Sequence, residues 1–470
     1  MEFLKSTSKS KSSFAISFLK GNLEINLTRK EFLYIIAKVK TFILETALLE
    51  DLVIVDRFSF EGVVLYLASL SSSKKTWIIN SFYKEERLTS IYEEYNLKQI
   101  FNLTKDSVLH SKLEQSYLNI LNLALSELKC VDLNMAPDYL ELNLDTQILL
   151  FSSGSTGKPK CIVHNIGTNI ESAIRSSSFL SIDQRSKLYL SLPIFHVSGQ
   201  AILFRWLYSN ASLFVGEKIE FSIIDKITHT SLVQAQLVNY LEYLDLQKII
   251  FKAPKIFLLG GSYIDENLCI KASNYNIKCF VGYGLTETAS AVAIKDMLKP
   301  GGAKLLDNNF IKIDKNGVIF IKSKSLFLGY LSSSRVINTS SIVNGYFNTK
   351  DIGVLKEEEL FVTGRLDNMF ISGGENIFPE EIESLIYKTG FVSNIFIIPK
   401  DNNKFLQVPV AFIDSKSYQN LNRFRSDLED FLSKSLEKFK IPKEYFELKE
   451  EYLDGAIKYS RNKLINLVNS

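Results

Sequence analysis

Apolar positions along this chain change their spacing twice. From about Asn26 to Ile120, helix-length stretches alternate with shorter apolar runs. "TRKEFLYIIAKVKTFILETALL" repeats apolar residues every three or four positions, as a helix with one buried face does. "DRFSFEGVVLYLASL" reads as a strand-like run. The alternation resumes from Gln147 to Lys278, where "QILLF", "KLYLSLP", "ASLFVG", "KIFLLGG" and "IKCFVGYG" each sit beside a helical segment. Such alternation predicts layered α/β architecture. "KIFLLGG" and "IKCFVGYG" are unbroken apolar runs ending in glycine, as expected of parallel strands covered on both faces. Ligands of such sheets lie at the carboxyl ends of strands, where Gly260, Gly261, Gly282 and Gly284 fall. From Asn309 to Leu360 the spacing becomes two: "FIKIDKNGVIFIKS" and "GVLKEEELFVTG" predict a small antiparallel sheet or barrel. After Gly364 an α+β unit is expected, with helices in "PEEIESLIYKTG" and "NRFRSDLEDFLSKSLEKF" and strands in "VSNIFIIPK" and "LQVPVAFID". The boundary falls near Arg365–Asp367, giving a large domain over 1–366 and a small one over 367–470.

Composition narrows the class. A chain of 470 residues is too long for one core. Its 46% apolar and 23% charged residues are those of an ordinary soluble globular protein. A net charge of +3 gives no electrostatic reason for nucleic acid or a membrane surface as partner. No apolar run approaches a membrane span. Cys130, Cys161, Cys269 and Cys279 form no CxxC pair and the His residues are scattered. That pattern indicates neither a disulfide framework nor a zinc site, and a reducing cytoplasm is expected. At the N-terminus, "FAISFL" is short, is followed by Lys20 and lacks a small-residue cleavage site. It reads as a frayed start to the first helix or strand rather than a targeting signal.

"FSSGSTGKPKCIVH", Phe151 to His164, carries the most pointed chemistry. Gly, Ser and Thr leave backbone N–H groups uncovered, so such a loop can gather them around an anion. Lys158 and Lys160 add charge, which suits phosphate. The Walker A loop does not fit: only Ser155 and Thr156 separate Gly154 from Gly157, and Pro159 follows Lys158. Ser153 to Lys160 therefore reads as a hairpin loop over phosphates, the alternative being a solvated Gly/Ser turn. In "GYGLTET", Tyr283 held between glycines can stack on a base, Thr286 can donate to a phosphate or carboxylate, and Glu287 can hold Mg²⁺; a turn with a surface Glu is the plain alternative. Asp351 in "FNTKDIG" is placed at a strand end, as a turn former or as an acceptor for ribose hydroxyls. Arg365 can pair with ribose or phosphate, and Gly373 with Gly374 makes a tight loop. Pro379, Glu380 and Glu381 open a helix in the favoured order. Lys458 sits on a Gly-preceded loop in "YLDGAIKYSRNKL", where a solvated Lys is the ordinary reading.

Taken in order, these motifs resemble the adenylate-forming superfamily: acyl- and aryl-CoA synthetases, peptide-synthetase adenylation domains and firefly-type luciferases. The resemblance runs from about Ile148 onward. It implies a large N-terminal domain of two α/β sheet layers plus a small β-barrel, followed by a small mobile α+β domain carrying a catalytic lysine. It implies ATP, Mg²⁺ and CoA, with Ser153–Lys160 on the phosphates, Glu287 on the metal and Thr286 beside the reacting groups. Gly260, Gly261, Gly282, Tyr283 and Gly284 would flank adenine, and Asp351 and Arg365 would hold ribose. Lys458 would bring carboxylate and α-phosphate together, Asp367 would be the hinge, and Gly374 would face the pantetheine tunnel. "LPIFHVSGQAILFRWLYSNASLFV", "THTSLVQAQL", "GRLDNMFISGGENIFPEEIE" and "GAIKYSR" look like the o-succinylbenzoate–CoA ligase branch, enzymes of menaquinone biosynthesis. On that resemblance His196, Ser198, Gly199 and Gln200 line the acid pocket, His196 also being readable as a hydrogen-bonded core residue. The sequence departs from the branch at Gln234-Ala235, where relatives often have Pro-Thr, and at Lys350, where many have Gly. The implied partners are an aromatic carboxylic acid, ATP and CoA, with no nucleic acid and no membrane; a homo-oligomer is left open. The competing readings are another aryl- or short-chain acyl-CoA synthetase, or a stand-alone adenylation enzyme loading a carrier protein.

Overall fold

The computed structural model describes residues 1–4, 14–20, 23–46, 50–57, 59–104, 112–152, 159–216, 219–261, 264–307, 309–389, 391–392, 394–414, 428–454 and 458–469. Helix Arg29–Glu45 starts where Thr28 and Glu31 cap each other: the Thr28 hydroxyl accepts from Glu31 N–H, and the Glu31 carboxylate takes the Thr28 N–H. Its buried face carries Phe32, Leu33, Ile36, Val39 and Ile43. The neighbouring expectation needs correcting. "DRFSFEGVVLYLASL" is not a strand; the strand is Asp51–Val55, and Phe60–Ser71 is a helix. Ser59 caps it, its hydroxyl accepting from Gly62 N–H at 2.9 Å. Val63 to Leu70 are all buried, so no polar face marks the helical spacing. A fully buried apolar run looks alike in either conformation.

Two sheets stack around one apolar core. In the larger, Phe14–Lys20, Ser212–Val215, Lys187–Leu190, His229–Leu232, Lys255–Leu259 and Ile277–Leu285 lie in parallel. "FAISFL" is a strand of this sheet, and residues 5–13 before it lie outside the described residues. On its other side Ile277–Leu285 pairs antiparallel with Ser290–Asp296. From there the sheet runs on through Ala303–Leu305, Glu359–Arg365, Tyr346–Lys356, Val318–Lys322 and Phe310–Ile313. The antiparallel region read from the sequence thus continues the parallel sheet in one hydrogen-bonded series. The second sheet orders Gly329–Leu331, Lys160–Asn165, Gln147–Ser152, Lys75–Ile79, Asp51–Val55 and Ile100–Asn102, with Ile337–Asn338 at its edge. Ile54, Ile78 and Leu150 from this sheet share one core with Leu188, Leu213 and Leu258 from the other.

A third, five-stranded sheet uses only residues from Phe370 onward. It packs on helix Pro379–Tyr387 through its own core of Ile382, Ile386, Ile397, Ala411, Leu428 and Leu432. Pro379 opens that helix with Glu380 and Glu381 in the first turn, as expected. The helix expected over "NRFRSDLEDFLSKSLEKF" covers only 428–433 among the described residues; turns follow, and 421–427 lie outside them. Among the described residues no helix is long and apolar enough to cross a membrane. The four cysteines are free thiols, three of them buried.

Candidate active site

The glycine- and serine-rich loop closes the hairpin of Gln147–Ser152 and Lys160–Asn165, whose last pair is Ser152 with Lys160. Ser153, Gly154, Ser155, Thr156, Gly157 and Lys158 lie outside the described residues; the base of their hairpin is described. Lys160 holds its ammonium 5.2 Å above the Tyr330 ring. His164 is buried, with Nδ1 2.9 Å from Thr168 Oγ1 and Nε2 2.7 Å from the Thr286 carbonyl oxygen. A carbonyl only accepts, so Nε2 carries the hydrogen. Burial lowers the His164 imidazole to about 4, so the ring is neutral at pH 7. It straps the hairpin to the tight turn Thr286–Thr288.

That turn follows a strand that must fold back sharply. A Cβ on Gly284 would stand 2.0 Å from the Ser290 carbonyl oxygen, so no side chain fits there. Thr288 accepts from Leu285 N–H at 2.9 Å and closes the turn. Glu287 is then held twice: its carbonyl accepts from Phe327 N–H at 2.8 Å, and its Oε1 accepts from the Tyr330 hydroxyl at 2.7 Å. Gly260 and Gly261 end the adjacent parallel strand, where Leu259 pairs with Val281. A Cβ on Gly260 would meet only the Gly282 carbonyl, at 3.7 Å, so its bareness leaves room at the strand ends rather than relieving a clash.

Beside these glycines a charged group is preassembled. Tyr283 donates to Asp351 Oδ2 at 2.7 Å, and Arg365 Nη1 donates to Asp351 Oδ1 at 2.7 Å. Arg365 Nε also donates to Asp367 Oδ1 at 3.0 Å. Asp351 is not at a strand end. It lies within Tyr346–Lys356, directly opposite Arg365. Burial pushes the Asp351 carboxyl up to about 6 against the pull of Arg365. Burial also raises Asp367, but the hydrogen bond and charge of Arg365 outweigh it and leave that carboxyl below its usual range. Lys350, the departure noted in the sequence, holds φ at +62°. Glycine adopts that angle without strain.

The "FHVSGQ" segment enters helix Val197–Ser209 at His196. Ser198 is half-buried. Gly199 presses against the chain before it: a Cβ there would lie 2.1 Å from the Pro193 carbonyl oxygen. Gln200 is fully buried, its Nε2 donating to the Ile194 carbonyl at 3.1 Å and its Oε1 accepting from Tyr66 at 3.2 Å. Gly199 and Gln200 thus fasten the loop that presents His196. Further along the helix, Arg205 is a residue the sequence reading did not single out. It is 3% exposed, donating to the Ala201 carbonyl at 3.0 Å and to Ser231 Oγ at 3.2 Å. No carboxylate among the described residues pairs with it, and burial lowers it to about 10. With Tyr189, His229, Thr230 and Ser231 it lines a cavity. Gln234, the other departure, takes the first position of helix Gln234–Gln247 and accepts from Asp265 N–H at 2.7 Å.

In the C-terminal sheet, Gly373 and Gly374 turn the hairpin Phe370–Ser372 to Glu375–Ile377 with φ of +61° and +91°, the tight loop expected. Lys458 is on a short strand, Lys458–Tyr459, paired with Leu453–Asp454, rather than on a loop; residues 455–457 lie outside the described residues. Backbone pairing fixes the strand, which a Gly-preceded polar segment does not announce. Just after it, Arg461 grips both oxygens of buried Glu383 at 2.7 Å and donates to the Ile397 carbonyl at 2.6 Å.

A family model described as AMP-binding enzyme matches residues 50–331. The chain belongs to the AMP-binding enzyme family. A 2-succinylbenzoate–CoA ligase of Haemophilus influenzae is 34% identical over 402 residues, covering 85% of this chain and 83% of the relative. Its counterpart in Escherichia coli is 36% identical over 321 residues, 67% of this chain and 68% of the relative. Among solved structures, a variant of E. coli MenE with bound OSB-AMS superposes with a TM-score of 0.80 at 26% identity, covering 98% of this chain and 96% of that one. In this family member Gly260, Gly261, Gly282 and Gly284 lie toward the carboxyl ends of two adjacent parallel strands of the large sheet, where Tyr283 meets Asp351 and Arg365 and the chain turns at Thr286–Thr288. Among the described residues no group of three or more His, Cys, Asp or Glu could hold a metal ion.

Proposed function

We propose that this chain is an ATP-dependent ligase that joins o-succinylbenzoate to CoA through an acyl-adenylate, a step of menaquinone biosynthesis. Relatives of that activity match most of the chain. The observation that favours an acid with two carboxylates is Arg205. A buried guanidinium without an acidic partner costs free energy, and a second carboxylate of the substrate would supply the partner.

The residues supply the chemistry as follows. One substrate carboxylate attacks the α-phosphorus of ATP and pyrophosphate leaves, so two anions must be brought together. Ser153 to Lys160 would cradle the outer phosphates. Glu287 would hold Mg²⁺, which neutralises phosphate charge when bound. Gly260, Gly261, Gly282 and Gly284 leave space for adenine against Tyr283, and Asp351 with Arg365 receives the ribose hydroxyls. Thr286 and His196 would face the reacting carboxylate, with Ser198, Gly199 and Gln200 shaping its pocket. Lys458 would join carboxylate and α-phosphate. In the second step the CoA thiol attacks the acyl carbonyl and AMP leaves. Residues 367–470 would turn about Asp367 against 1–366, withdraw Lys458 and bring Gly374 to the pantetheine arm.

Purified protein given o-succinylbenzoate, ATP, Mg²⁺ and CoA should yield the thioester and AMP. Exclusive use of benzoate or fatty acids would end the assignment.

A further inference from the structure

Tyr330 touches both charged ends of the phosphate region and has no role in the reading above. It lies on the short strand Gly329–Leu331, beside the hairpin strand that begins at Lys160, with Tyr330 opposite Ile162. Its hydroxyl donates to Glu287 Oε1 at 2.7 Å, while its ring lies under the Lys160 ammonium, 5.2 Å from the ring centre. Phe327 packs edge-on against that ring, centroids 4.8 Å apart, and its N–H holds the Glu287 carbonyl. Both ends of Glu287 are thus fixed from one short segment. Tyr330 thus contacts two groups of opposite charge, Lys160 through its ring and Glu287 through its hydroxyl. The aromatic ring faces the cation while its hydroxyl binds the anion.

We propose that Tyr330 is a positioning residue for the triphosphate end of the site. Its hydroxyl aims Glu287 at the cation that arrives with the nucleotide, and its ring keeps Lys160 off that carboxylate and free for phosphate. The inference rests on the reading of Glu287 as the metal-binding carboxylate. A side chain that orients a metal ligand commonly changes metal affinity by about 10–100-fold when removed.

Tyr330→Phe removes the hydroxyl and keeps the ring. Nucleotide binding measured by calorimetry across a Mg²⁺ series should then need about tenfold more Mg²⁺ for half-maximal tightening, by the same comparison. ATP binding in chelator should stay as in the wild type. Thioester formation from supplied acyl-adenylate, which involves no triphosphate, should keep its rate. Tyr330→Leu removes the ring too, lets Lys160 reach Glu287, and should weaken ATP binding in chelator as well. A lowered melting temperature with equal loss of both half-reactions would mark Tyr330 as structural only and overturn the proposal. Glu287→Gln separates the two claims. A Mg²⁺ requirement altered in Glu287→Gln but unchanged in Tyr330→Phe refutes the role of Tyr330 alone. A requirement unchanged in both refutes the metal assignment and this inference with it.

Discussion

Arg205→Met should make the protein more stable and less active, and the two effects have one cause. Arg205 is buried and has two neutral partners, the Ala201 carbonyl and the Ser231 hydroxyl. Burial alone pulls its guanidinium down to about 10. A displacement of that size corresponds to a cost on the order of 3 kcal/mol for keeping the charge in the free protein. Methionine fills similar space without a charge. Allowing for the two lost hydrogen bonds, the variant should gain about 1–2 kcal/mol. Substrate binding moves the other way. Removing one member of a buried charge pair costs about 2–5 kcal/mol, so kcat/KM for o-succinylbenzoate should fall roughly 10²–10³-fold. An aromatic monocarboxylate of the same outline has nothing to offer Arg205 and should lose less than threefold, about 0.6 kcal/mol. The assay is pyrophosphate release with each acid, beside a urea titration. Equal losses for the two acids would refute the reasoning, as would a variant that is markedly less stable.

Three other changes test separate parts of the site. Lys458→Ala should lose roughly 10²–10³ in adenylation while still converting supplied acyl-adenylate to thioester; equal loss of both steps would contradict its role. Asp351 takes its proton more readily folded than unfolded, so its contribution to stability is complete below about pH 4 and is lost as the pH rises through about 6. Asp351→Asn should accordingly gain on the wild type by up to about 3 kcal/mol between pH 4 and pH 7 in urea midpoints, and a constant offset would dismiss burial as the cause. Lys350→Gly should stabilise by about 1 kcal/mol, because Lys350 holds φ at +62°; a loss of stability would show that the Lys350 side chain outweighs its backbone strain.

Much of this architecture was readable because its signals are local. The apolar runs ending at Gly260 and Gly282 are strands, since a parallel strand covered on both faces needs no polar alternation. The Gly373–Gly374 turn was legible because two consecutive positive φ angles favour glycine. Phe60–Ser71 was not, because total burial erases the polar face that distinguishes helix from strand. Asp351 was misplaced for a related reason. The Lys350 before it takes a left-handed angle without the glycine that would mark it, and pairing carries the strand on through Asp351 to Lys356.

The supporting residues were hidden for a different reason. Arg205, His164 and Tyr330 sit inside regular elements, among neighbours that look like core, and each meets its partner across the fold. His164 lies only four residues from Lys160, in the same motif, yet its meaning depends on the Thr286 carbonyl more than a hundred positions away. Tyr330 reads as one more aromatic in "LFLGYL" until its strand pairs beside the hairpin and brings Glu287 within reach. A spacing rule reports what a side chain does along its own strand or helix. It cannot report that a neutral histidine and a tyrosine, one from each of two strands of the second sheet, both hold one three-residue turn that follows a strand of the other sheet. Substitutions at His164 or Tyr330 should therefore alter the geometry of that turn before they alter chemistry.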